Sequence, residues 1–207
     1  SMAFLPGGDL LITERPGRLR ILRDGRLLPD PVPGVPEVYA RGQGGLLDIA
    51  LHPDFPSNRL VYLSYSKPLG DGESTTAVIR GRFQNDRIEG VEEVFEAESR
   101  GRGHYGSRLV FDRQGYLFIT VGDRQAPPRG DLEAHPAQDL SNHHGTTIRL
   151  HDDGRIPDDN PFVGTPGALP EIWSYGHRNA QGLTLHPETG DLWLTEHGPQ
   201  GGDELNL

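Results

Sequence analysis

Gly103-His104-Tyr105-Gly106-Ser107-Arg108-Leu109 leads directly into Val110-Phe111-Asp112-Arg113-Gln114-Gly115-Tyr116-Leu117-Phe118-Ile119-Thr120. The second stretch reads as a strand, a tight polar turn and another strand, because apolar side chains alternate on both sides of Asp112-Arg113-Gln114-Gly115. The same unit occurs three more times. It is Leu5, Pro6-Gly7-Gly8-Asp9 and Leu10-Leu11-Ile12 near the start; Leu47 to Leu51, His52-Pro53-Asp54 and Leu60 to Tyr65 next; and Leu183 to Leu185, His186-Pro187-Glu188-Thr189-Gly190 and Leu192 to Leu194 last. Aligned on Leu10, Leu60, Leu117 and Leu192, the units step by 50, 57 and 75 residues. Repeats of this size, all β and separated by loops of variable length, predict a β-propeller. A blade cannot bury both of its faces alone, and stacking blades around an axis does so. The uneven steps leave a β-sandwich with unrelated hairpins as the alternative.

Further strand-like runs at Arg18–Leu22, Thr76–Phe83 and Thr147–Leu150, with Asp-Gly turns at Asp24-Gly25 and Asp153-Gly154, extend the units toward full blades. Pro29 to Pro36 holds four prolines and is excluded as a central strand. No segment longer than a turn or two reads as a helix. Closed propellers have about 4–8 blades. Residues 1–207 are therefore expected to be a single propeller domain of about three to four blades, an incomplete ring.

With 28 glycines and 18 prolines, the composition suits short strands and turns. The net charge of −10 argues against a nucleic-acid backbone as partner. Without cysteine, disulfides and thiolate metal sites are excluded. No apolar run approaches the ~18 residues of a membrane span.

Four clusters are candidates for chemistry. Arg41-Gly42-Gln43-Gly44-Gly45 is a glycine loop with one amide side chain; it lacks the lysine and hydroxyl of a phosphate-binding loop. His104 lies between glycines, where backbone takes unusual angles, and it suits proton transfer near neutral pH. If Asp123 of Gly122-Asp123-Arg124 lines the same mouth, the pair can act as a general base; otherwise His104 bonds a loop carbonyl. Trp173 to Gly182 crowds Arg178, Asn179 and Gln181 into one loop, as a ligand site or as a structural network. Glu196-His197-Gly198-Pro199 to Glu204 offers carbonyls and carboxylates, hard oxygen ligands that suit calcium without the spacing of an EF-hand. Asp152-Asp153 and Asp158-Asp159 read as solvated turns.

In this order, the clusters resemble the soluble quinoprotein sugar dehydrogenases of the glucose/sorbosone dehydrogenase family, which includes the bacterial aldose sugar dehydrogenases. The specific pieces are Gly42 to Leu47, His104 to Leu109, Ile156-Pro157-Asp158-Asp159-Asn160-Pro161-Phe162, Gly176-His177-Arg178-Asn179 and Glu196 to Asn206. The resemblance implies a six-bladed propeller that holds pyrroloquinoline quinone and calcium at one mouth, and oxidises the C1 hydroxyl of an aldose to the lactone. It implies His104 as the general base and Gln43, Arg178 and Asn179 as cofactor or substrate contacts. Gly198 and Pro199 would hold the cofactor's calcium through their carbonyls, and Glu204 would bind a second, structural calcium. It also implies an external, non-oxygen electron acceptor and a periplasmic or secreted location. Gly103 stands where the family often has Asp or Asn, and Ala180 replaces a usual proline. The family continues for further blades that clamp the cofactor's carboxylates, so a second copy or a complementary chain is expected to complete the ring. A non-catalytic fragment that binds calcium or sugar, and a calcium-dependent lactone hydrolase with carboxylates converging on the axis, are the alternatives.

Overall fold

The computed structural model describes residues 1–207 as four antiparallel sheets, each a meander of consecutive strands. The first comprises β1 (Met2–Phe4), β2 (Leu10–Glu14), β3 (Arg18–Arg23) and β4 (Arg26–Leu27). The second comprises β5 (Leu46–Leu51), β6 (Leu60–Gly70), β7 (Glu73–Gln84) and β8 (Arg87–Glu96). The third comprises β9 (Leu109–Phe111), β10 (Leu117–Val121), β11 (Thr146–Leu150) and β12 (Ile172–Tyr175). The fourth has β13 (Ala180–Leu185), β14 (Leu192–Glu196) and β15 (Glu204–Asn206). The first strands are neighbours: β5 lies beside β1, β9 beside β5 and β13 beside β9. This is four blades of a propeller with their leading strands innermost. A sandwich would instead pack two sheets face to face. The only α-helix is one turn, α1 (Phe55–Asn58), and no helix is long and apolar enough to cross a membrane.

Alternation along the strands decides how the blades stack. On β6, Val61, Leu63 and Tyr65 face the first blade, where they meet Leu11, Leu19 and Ile21. Tyr62, between them, turns to the other face and packs with Leu117, Ile119 and Ile148 of the third blade. The second blade is thus apolar on both faces and buried on both. The third blade's other face is built differently. The Arg149 guanidinium lies 3.9 Å from the centre of the Tyr116 ring and 5.0 Å from that of Trp173. Asp159 accepts from it at 2.9 Å and Asn160 at 3.3 Å. Asp159, expected as a solvated turn residue, therefore holds a buried arginine while its own side chain remains exposed.

Polar links join each blade to the leading strand of the next, or to the residues just before it. Thr13 Oγ1 donates to the Leu47 carbonyl at 3.1 Å, and Ser64 Oγ to the Ser107 carbonyl at 2.7 Å. The buried Asp48 carboxylate accepts from the Leu109 amide at 2.9 Å. Thr120 Oγ1 donates to the Ala180 carbonyl at 2.9 Å. The uneven repeat steps have a local cause: the third blade carries two long loops, 122–145 and 151–171, between its strands.

Leu63→Ala, in the doubly buried second blade, is expected to cost about 2–5 kcal/mol in urea unfolding. Leu205→Ala, on an exposed edge, should change stability by less than about 0.5 kcal/mol. Equal losses at the two positions would contradict the assignment of the core.

Candidate active site

The segment before β9 lies at the mouth of the inner strands. His104 has φ of +46°, a left-handed conformation in which a non-glycine residue needs support. Three neighbours supply it. Its amide donates to Gln43 Oε1 at 2.7 Å, and its carbonyl accepts from Arg124 Nη1 at 2.7 Å. Gly122 lets the chain pass so closely that a Cβ there would sit 2.0 Å from the His104 carbonyl oxygen. Only glycine fits.

The His104 ring is buried, and its Nδ1 lies 2.6 Å from Asp123 Oδ1. A carboxylate only accepts, so Nδ1 carries the proton and Nε2 presents its lone pair. Nε2 has no partner within the chain. Asp123 is itself fixed: Oδ1 also accepts from the Gln125 amide at 2.9 Å, and its backbone amide donates to the Arg178 carbonyl at 2.8 Å. The structure thus brings His104 and Asp123 together as a histidine–carboxylate pair, and the loop-carbonyl alternative does not hold.

Behind the pair is Arg124, a role that composition and spacing did not reveal. Its Nη2 donates to Thr76 Oγ1 at 2.7 Å, and the guanidinium lies 5.0 Å from the centre of the Tyr105 ring. Burial pushes its pKa down to about 10. The available signal was its place directly after Gly122-Asp123 at the end of a strand.

The fourth blade contributes the facing side. Asn179 Oδ1 accepts from the Gly106 amide at 3.2 Å, which ties its loop to the histidine loop. Glu196 accepts from the Arg178 amide at 2.5 Å and lies 3.0 Å from His177 Nδ1. Burial alone would raise the Glu196 carboxyl; bonds from His177 and the Arg178 amide outweigh it and hold it below the usual carboxylate range. Arg178 Nη1 donates to the carbonyls of His197 at 2.9 Å and Gly198 at 3.1 Å. Pro199 and the exposed Glu204 share a cavity of about 300 Å³ with Asp123, His177 and Arg178. Gln43, His104, Asn179, Arg178, Gly198 and Pro199 therefore belong to one region. Glu204, although exposed, lines the same cavity, and its carboxylate accepts from Asn206 Nδ2 at 3.3 Å.

This region fits a planar, multiply carboxylated quinone. Arg178 Nε is buried without a partner, and the side-chain amide nitrogens of Gln43 and Asn179 make no bond within the chain. These donors suit carbonyl and carboxylate oxygens. For calcium the fit rests on carbonyl oxygen, since no three His, Asp or Glu side chains gather; the Gly198 carbonyl here accepts from Arg178 Nη1, and the Pro199 carbonyl accepts no bond within the chain. Asp48, Asp123 and Glu196 are each bound to amides or a histidine, and they do not converge as the lactone-hydrolase alternative requires.

The sequence profile of the glucose / sorbosone dehydrogenase family matches residues 1–207. Aldose sugar dehydrogenase YliI of Escherichia coli is 47% identical over 212 residues, covering 100% of this chain and 55% of that protein. The chain spans about half the length of the curated relatives it matches. The crystal structure of the soluble aldose sugar dehydrogenase of E. coli in the apo-form superposes with a TM-score of 0.91 at 48% identity, over 99% of this chain and 58% of that one. The PQQ-bound form of the aldose sugar dehydrogenase from Streptomyces coelicolor gives a TM-score of 0.82 at 31% identity, over 100% of this chain and 58% of that one. With a matching profile along its whole length, four meander blades and a buried histidine–carboxylate pair at their mouth, the chain belongs to the glucose/sorbosone dehydrogenase family, whose members include PQQ-dependent sugar-oxidising enzymes.

Proposed function

We propose that this protein oxidises the C1 hydroxyl of an aldose to the lactone, with His104 as general base and pyrroloquinoline quinone as cofactor. The observation that carries the reading is the His104–Asp123 pair, with Nε2 left free. The quinone, when bound, supplies the two-electron, hydride-accepting chemistry. Arg178, Asn179 and Gln43 would hold it through guanidinium and amide donors, and the carbonyls of Gly198 and Pro199 would hold its calcium. Glu204 is our candidate for a second, structural calcium.

His104 Nε2 takes the proton of the C1 hydroxyl, which leaves the oxygen electron-rich and weakens the C1–H bond. Asp123 stabilises the imidazolium that forms and keeps Nδ1 as the protonated nitrogen. Gln43 and Arg124 fix the main chain of His104, so the ring does not turn as its charge changes. Glu196 anchors the Arg178 amide and thereby the position of the guanidinium loop. Electrons pass on to an external acceptor, in the periplasm or outside the cell. Apolar side chains exposed on the first and fourth blades, Phe4 and Leu205 among them, support closure of the ring by further blades, a second copy or a complementary chain.

Titration of the protein with pyrroloquinoline quinone and calcium, followed by absorbance, should show binding, and glucose should then reduce the bound quinone. His104→Asn suits the test because asparagine tolerates positive φ. It should keep binding and lower the reduction rate by about 10²–10⁴. A variant that reduces quinone at the wild-type rate would remove His104 from the chemistry. Gly122→Ala should abolish reduction by displacing the His104 carbonyl, with little change in far-ultraviolet circular dichroism.

Glu196 has its own pH signature. Its folded pKa lies below its ordinary value, so its contribution to stability is complete above the ordinary carboxylate range. That contribution is lost as pH falls through the range toward the folded value. The stability gap between wild type and Glu196→Gln should therefore be full at pH 7 and narrow steadily below about pH 4.5. A gap that widens on acidification would contradict the assignment.

A further inference from the structure

We propose that the cleft between Arg129 and Arg178 is a carboxylate-binding subsite, with Arg129 as its second cation. This deepens the reading above, on which it rests only for the identity of the anion. The cleft holds about 460 Å³ and is lined by Pro127, Pro128, Arg129, Arg178, Pro199 and Gln200. It joins the cavity beside Asp123 along the Arg178 and Pro199 wall.

Three observations point to an anion. First, no carboxylate lines the cleft, although the chain carries 30 acidic residues against 20 basic ones. Second, neither guanidinium is neutralised. Arg129 makes no ion pair or side-chain hydrogen bond, and Arg178 bonds only to carbonyls through Nη1 while its Nε is buried without a partner. A buried donor without a partner costs stability unless a ligand satisfies it. Third, the walls are stiff. Pro127 and Pro128 fix φ immediately before Arg129, the Arg129 amide donates to the Pro127 carbonyl at 2.8 Å, and Pro199 forms the opposite side. Two guanidiniums that line one cleft, on backbone fixed by proline, suit the planar, doubly accepting geometry of a carboxylate, and Gln200 adds a neutral donor.

Two sources share this chemistry: a carboxylate of the quinone and the carboxylate of an acidic sugar. Calorimetric titration of the protein with pyrroloquinoline quinone and, separately, with glucuronate distinguishes them, with Arg129→Gln and Arg178→Gln as variants and glucose as the neutral control. Arg129 is exposed, so Arg129→Gln should leave the thermal midpoint unchanged. It should weaken the anion that uses the cleft by about tenfold or more and flatten the salt dependence of binding, with Arg129→Lys falling between. Glucose binding should not move.

Weakening of the quinone alone assigns the carboxylate to the cofactor. Weakening of glucuronate alone assigns it to an acidic sugar, and the subsite then stands even if the protein takes up no quinone. If Arg129→Gln binds both anions as tightly as wild type while Arg178→Gln does not, the subsite is overturned and the cofactor reading survives. Wild-type protein that binds neither anion also overturns it.

Discussion

A small antiparallel sheet with apolar side chains on both faces has no stable form by itself. That constraint governs this chain. The second blade shows it most plainly, since Leu63 and Tyr62 are adjacent on one strand, fully buried, and belong to different cores. Every strand of that blade must satisfy two neighbours at once. The meander order then follows, because each blade can be covered on one face by the sheet that precedes it and on the other by the sheet that follows. With the leading strands innermost, the loops that open and close each blade gather at the mouths of the arrangement, and the candidate site lies in those loops.

The candidate site is built by strain and support more than by proximity. The left-handed backbone at His104 is unfavourable for a residue with a Cβ, and it is held from three directions by an amide of the second blade's entry loop, a buried guanidinium and a glycine contact. The histidine is thereby aimed with little freedom, and Asp123 fixes which nitrogen carries the proton. On the facing side, Glu196 meets the His177 ring much as Asp123 meets that of His104, and it also accepts from the Arg178 amide. It is a buried carboxylate that orients a cation-bearing loop through a main-chain amide.

The repeat of strand, polar turn and strand was readable because period-two alternation and Asp-Gly or Pro-Gly turns are local properties. Leu10, Leu60, Leu117 and Leu192 fall on the second strand of four successive blades, as their spacing suggested. The histidine between two glycines was also visible, and so was the option of an Asp123 partner. Three things were not. Arg124 looks like any loop arginine, and only the packing of Thr76 and Tyr105 around it makes it a buried strut. Asp159 reads as a solvated turn until Arg149, ten residues earlier, is seen beneath it. The pairing of Glu196 with His177 and the Arg178 amide spans two strands and a bulge, a register that no local pattern encodes.

The consecutive order of the blades has a consequence for synthesis. Each blade's contacts lie mostly within itself and with its immediate predecessor, so loop-closure costs stay modest and each sheet can form on the one already made as the chain emerges. The histidine loop and its arginine strut depend on the second and third blades, whose residues are translated before those of the fourth. The contacts from Asn179 to Gly106 and from Arg178 to Asp123 wait for the fourth. A ribosome-bound chain therefore passes through a stage in which the His104–Asp123 pair exists and the Arg178 and Asn179 loop that faces it does not.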